Sequence, residues 1–154
     1  MTGPAERLAA LGLTLPPVAA PVAAYVPAVR TGTYVYTSGQ LPTVDGKLPA
    51  VGKVGDEVSA QDAAGMARTC ALNALAAAAS AAGGLEAIRR IVKVTGFVAS
   101  APGFGGQAQV INGASELLIE VFGEDGRHSR SAVGVAELPL NAPVEVELIA
   151  EVRD

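Results

Sequence analysis

The chain has 154 residues, half of them hydrophobic, and a formal net charge of −4. That length suits one domain with a packed core, and with an aromatic share of 4% and no Trp the core has to be built from Ala, Val, Leu and Ile. Sequence-independent nucleic-acid binding relies on clustered cations that displace counterions from phosphate, and this acidic chain has no such cluster, so no nucleic-acid partner is expected. One cysteine, Cys70, and one histidine, His128, exclude an internal disulfide and any site built on two Cys or two His ligands. No signal-peptide pattern opens the chain, and no window reaches the ~18 uninterrupted apolar residues that a spanning helix needs. A cytoplasmic protein without membrane contact is the expectation.

Pro4–Leu11 reads as a short amphipathic helix, with Leu8 and Leu11 at i, i+3 spacing and Gly12 as its stop. Thr14–Ala24 carries Pro16, Pro17 and Pro21 and reads as an extended connector, since proline cannot donate to a central ladder. Residues 1–24 thus form a helix and connector ahead of a main domain over 25–154. Tyr25–Arg30 and Thr33–Ser38 read as a β-hairpin turning at Thr31-Gly32, with Tyr34 and Tyr36 on one face. Leu48–Val54 reads as a short, weak strand.

Ser59–Ala82 is the main predicted helix. Ser59 is its N-cap with Asp62 three residues on, and Gly83-Gly84 closes it. Met66, Cys70, Ala74, Ala77 and Ala81 form its expected buried stripe. Cys70 has no nearby His or cation cluster and reads as a core residue. A helical turn over Leu85–Arg89, a strand over Ile91–Ser100, a loop over Ala101–Gly106 and a second long helix over Val110–Phe122 follow. Arg127-His128-Ser129-Arg130 then runs into a small β-branched strand that ends at Leu138-Pro139. In the closing strand, Val144, Val146, Leu148, Ala150 and Val152 alternate with Glu145, Glu147, Ile149 and Glu151. Helices should therefore cover one face of the sheet in an α+β arrangement. The other face, mixing glutamates with Ile149, suits packing between copies.

Arg130 stands where loop becomes strand, and its planar fork can hold a carboxylate by two parallel hydrogen bonds. Taken alone, it reads as a surface arginine beside a strand. Glu145 and Glu147 read as solvated residues on a polar strand face, Gly39 as a turn glycine with positive φ, and His128 as a solvated loop residue rather than a catalytic acid.

Three segments taken together change that weighting. Ser38-Gly39-Gln40-Leu41-Pro42, then Arg130-Ser131-Ala132-Val133 with Leu138-Pro139, then Val144-Glu145-Val146-Glu147 resemble the reactive intermediate deaminase family (RidA, formerly YjgF). The likeness runs from about Tyr25 to Val152 and is that of a divergent branch, with its own N-terminal helix and an Asn112-Gly113-Ala114-Ser115 helix start. The resemblance implies a chorismate-mutase-like α+β fold, with one sheet of about six strands and two long helices packed on one face. It also implies a homotrimer with clefts between subunits, and a cofactor-free 2-iminobutanoate/2-iminopropanoate deaminase-type hydrolase acting on small 2-imino acids. On that likeness Arg130 grips the substrate carboxylate, the Gly39 backbone borders the substrate, and Asn112 is a further polar residue near the cleft. Glu145 positions the hydrolytic water, and Tyr25, thirteen residues before Ser38, orients it. Two departures stand out: Ala132 replaces the cysteine usual two residues after the arginine, and Gly126–Ser129 replaces an aromatic-proline entry. The same cleft in a non-catalytic, carboxylate-binding module is the alternative, and a ribonuclease is a distant third.

Overall fold

The computed structural model describes residues 2–21 and 23–154. Of the proline-rich connector, Val22 lies outside the described residues, and the rest forms no strand. Five strands make one sheet: β1 (Ala28–Thr31), β2 (Tyr34–Thr37), β3 (Ile88–Ala99), β4 (Ser129–Val135) and β5 (Val144–Val152). Their spatial order is β1-β2-β5-β3-β4. Neighbouring strands are antiparallel except β3 and β4, which are parallel. A parallel pair requires a crossover, and helix α3 (Gln107–Phe122) supplies it. Together with α2 (Ala60–Ala82) it covers one face, while α1 (Pro4–Ala10) packs against α3. The anticipated α+β sheet with two long helices on one side is what forms.

Several boundaries differ from the sequence reading. Leu48–Val54 is not a strand and contributes only isolated bridges from Val54 to Val58 and to Ser100. Pro49 has no N–H to donate, and Gly52 at φ 116° turns the backbone off a ladder path. The hairpin begins at Ala28, leaving Tyr25 in a bend, and its two-residue loop is Gly32-Thr33, with Gly32 at φ 58°. Gly first in such a loop matches the strand twist. Helix α3 starts three residues earlier than expected, so Asn112 lies in its second turn, not at its start. In α1 the buried residues are Pro4 and Leu8, whereas Leu11 is exposed.

Helix α2 follows its local signals closely. The Ser59 hydroxyl accepts from the Asp62 N–H at 3.0 Å, and Gly83 caps the C-terminus in the left-handed region (φ 95°, ψ 19°). Its small side chains admit close neighbours: a Cβ on Gly113 of α3 would overlap the Ala64 carbonyl. Burial from Cys70 to Ala79 is broken only by Leu72, because α3, the sheet and the 41–43 loop surround that half of the helix. Ala81 is only half-buried, but Met66, Cys70, Ala74 and Ala77 are buried as expected. Asn73, buried there, donates through Nδ2 to the Leu41 carbonyl at 2.9 Å and the Thr43 carbonyl at 3.0 Å. It thereby holds the loop that follows Gly39-Gln40. Cys70 is fully buried, and burial pushes its thiol well above the ordinary range, so it stays a protonated core residue.

Candidate functional site

Residues paired across a sheet share a face. Arg130 pairs with Val94, which pairs with Leu148, and both of those are buried beneath the helices. Arg130 therefore points to the helix side. Glu145 pairs with Phe97, which pairs with Val133, on the opposite face. One chain thus carries two groups of site residues on opposite faces of one sheet, and it does not bring Arg130 and Glu145 together.

The first group lies where the edge strand β4 meets α3. Arg130 directs Nη1 to Asn112 Oδ1 at 2.8 Å and to Ser115 Oγ at 3.2 Å, and Nη2 to the Ala108 carbonyl at 3.3 Å. These contacts aim the guanidinium while leaving further N–H groups of the fork available. Asn112 and Ser115, three apart, share a helix face, which gives the sequence signal that would have found Ser115. Ala132, two residues on, also faces the helices and packs against the core. His128 is half-buried, which corrects its reading as a solvated loop residue. Its Nε2 stands 2.9 Å from Ser115 Oγ and its Nδ1 2.6 Å from the Gly126 carbonyl. Burial above all, and then the Arg130 charge, hold its pKa below the usual 6.5 against the opposing pull of the Gly126 hydrogen bond. Ser115, Ile119, Arg127, His128 and Arg130 line a cavity of about 220 Å³.

The second group lies on the open face. Glu145 is half-buried, and its carboxyl pKa is raised by burial and then by Glu147. Its carboxylate lies so close over Gly39 that a Cβ there would overlap it. Gly39 does not adopt positive φ, so contact with Glu145, not turn geometry, is what requires a glycine. Gln40 pairs with Val146 through backbone bonds of 2.8 and 3.0 Å, which docks the Ser38-Gly39-Gln40 segment onto β5. Tyr25 is exposed, one residue before Val26, whose carbonyl accepts from Ser38 Oγ at 2.6 Å. Tyr34, Tyr36 and Val29, more than 40% exposed, continue this face beside Ile149. Among the described residues, no group of three or more His, Cys, Asp or Glu could hold a metal ion, and no helix is long and apolar enough to cross a membrane.

A single mixed sheet with two long helices on one face, and polar residues matching one pattern on both of its faces, defines a chorismate-mutase-like α+β protein. The chain belongs to the YjgF/RidA family: the family model described as "YjgF/chorismate mutase-like, putative endoribonuclease" matches residues 5–152. The protein Atu1372 of Agrobacterium tumefaciens, solved with unknown function, is 48% identical with a TM-score of 0.90, over 97% of this chain and 92% of that one. A structure titled as a putative endoribonuclease from Shewanella oneidensis is 37% identical with a TM-score of 0.94, over 98% of this chain and all (100%) of the other. The YjgF gene product of E. coli is more distant, at 31% identity and a TM-score of 0.63 over 90% and 94% of the two chains. That gap is consistent with a divergent branch.

Proposed function

We propose that this protein hydrolyses small 2-imino acids to 2-oxo acids and ammonia, in a cleft completed by a second copy of the chain within a homotrimer. The observation that carries this reading is the opposite-face placement of the two groups. Arg130 with Asn112 can hold a carboxylate, and Glu145 beside Gly39 can hold a water, but a single chain keeps them apart. Packing the open face of one copy, with its exposed Tyr34, Tyr36 and Val29, against the β4–α3 edge of another would bring them together.

The chemistry asks little of the protein. A protonated imine is already electrophilic, so anchoring its carboxylate and holding water against its carbon supplies much of the gain. Glu145, with its raised pKa, is suited to take a proton from that water and pass it to the departing nitrogen. Tyr25 would orient that water by its hydroxyl. Ala132 offers no thiol, and this favours, as second reading, a cleft that binds small carboxylates without turnover. The net charge of −4 speaks against RNA as substrate.

Subunit mixing tests the proposal. Imine released from threonine by a dehydratase is timed with and without the protein. Arg130→Ala and Glu145→Gln should each abolish the acceleration. Equal mixtures, unfolded and reassembled together, should regain roughly a quarter of parent activity, the share of clefts drawing both intact groups from different copies. No recovery on mixing, or a monomer in solution, refutes the shared cleft. Absence of acceleration alongside 2-oxobutyrate binding establishes the carboxylate-binding module instead.

A further inference from the structure

The Arg130 guanidinium is held by a chain of hydrogen bonds whose proton directions the geometry dictates. The Gly126 carbonyl only accepts, so His128 Nδ1, 2.6 Å away, must carry a hydrogen. In neutral His128 the Nε2 atom is then an acceptor, and the Ser115 hydroxyl, 2.9 Å away, donates to it. The Ser115 oxygen is left to accept from Arg130 Nη1 at 3.2 Å. Each member has one role available: Arg130 donates to Ser115, Ser115 to His128, and His128 to Gly126. Ser115 is a buried polar residue on α3, and no buried side-chain polar atom among the described residues lacks a partner.

We infer that Ser115 and His128 are positioning residues for Arg130: neutral His128 orients the Ser115 hydroxyl, which acts beside Asn112 and the Ala108 carbonyl to fix the guanidinium at the angle needed to receive a carboxylate. This rests on the carboxylate-clamp reading of Arg130. It goes beyond that reading in assigning work to two residues and in making the clamp sensitive to acid. Protonated His128 would present N–H at Nε2, and the Ser115 oxygen would then face donors from both Arg130 and His128, with its own proton displaced. The charged groups around the imidazole are Arg130 from β4 and Arg127 from the preceding loop, the latter paired with Glu124 at 3.1 Å. Helix α3 contributes Ser115 and Ile119, neither of them titratable in this range. Only the Gly126 hydrogen bond favours the imidazolium, and burial and the Arg130 charge outweigh it, so acid should loosen the clamp.

Nitrogen NMR of the whole 154-residue chain decides the relay without any ligand. At about pH 7.5, where imidazole is neutral, the ring should show the Nδ1–H tautomer, and Arg130 should show separate Nη signals. Ser115→Ala and His128→Phe should speed exchange between those signals, with the Asn112 and Ala108 contacts still in place, whereas His128→Gln, whose amide oxygen can accept from Ser115, should keep the parent rate. An Nε2–H tautomer, or Arg130 signals unchanged in folded Ser115→Ala and His128→Phe, overturns the inference. Titration with 2-oxobutyrate adds the functional arm. His128→Phe should weaken binding about three- to tenfold, the equivalent of one net hydrogen bond, and should have no effect in an Arg130→Ala background. Parent affinity should fall as pH drops through the His128 pKa, and His128→Gln should remove that step. A parent protein that binds no 2-oxobutyrate sinks the clamp reading alone, and the nitrogen spectra still decide whether the relay exists.

Discussion

Replacing Gly39 by alanine probes the contact that brings the Ser38-Gly39-Gln40 segment against Glu145. The added methyl would meet the Glu145 carboxylate, with its Cδ at 2.7 Å and Cγ at 3.1 Å. Backbone strain plays no part, because Gly39 lies outside the left-handed region. The cost is therefore overpacking, usually ~1–3 kcal/mol. It should fall near the lower end, because the obstacle is a half-exposed, flexible side chain that can swing toward solvent. About 1 kcal/mol corresponds to a fall in Tm of roughly 2–4 °C for a chain of this length. The assay is a double-mutant cycle by thermal denaturation at one fixed protein concentration, since association would shift Tm. Gly39→Ala should cost about 1 kcal/mol in the parent and close to nothing in a Glu145→Ala background. Turnover should be lost in Gly39→Ala, because the displaced carboxylate no longer borders the segment. An equal cost in both backgrounds would refute the contact as the reason for glycine.

Glu145→Gln should stabilise the protein in a pH-dependent way. Burial raises the folded-state pKa of Glu145 above the ordinary 4.5 of a free glutamate, so the native state binds more protons than the unfolded one and stability falls as pH rises through that interval. The variant should melt higher than the parent near neutrality, and the gap should close below about pH 4, where carboxyls are protonated in both states; a gap that widens in acid would contradict the sign. Asn73→Ala removes donors from the part-buried Leu41 and Thr43 carbonyls and should cost roughly 1–3 kcal/mol. Hydrogen exchange should rise first in the 41–43 loop, and an unperturbed loop would show that Asn73 does not hold it. Cys70 should resist alkylating reagents at neutral pH in the folded protein and react on unfolding, as a buried, protonated thiol must.

Much of this protein is readable locally. The limits of α2 follow from Ser59 and Gly83, because caps act within one turn of the residues that make them. The two faces of β5 follow from strict alternation, which a half-buried strand enforces. The Ser-Gly-Gln, Arg-Ser and Val-Glu-Val-Glu segments marked the family before any strand was paired. Other features depended on packing between distant segments. In Ser129-Arg130-Ser131-Ala132 no apolar alternation says which side is inward, and only the β3–α3–β4 crossover and the Val94 pairing turn Arg130 toward the helices. The same pairing sets Glu145 on the other face, a separation invisible in two strands that each looked correct alone. His128 and Ser115 meet across 13 positions of sequence, and Gly39 is glycine because a side chain from β5 comes to lie on it. Local propensity acts over a few residues, whereas these contacts exist only after the sheet has chosen its strand order and its covered face.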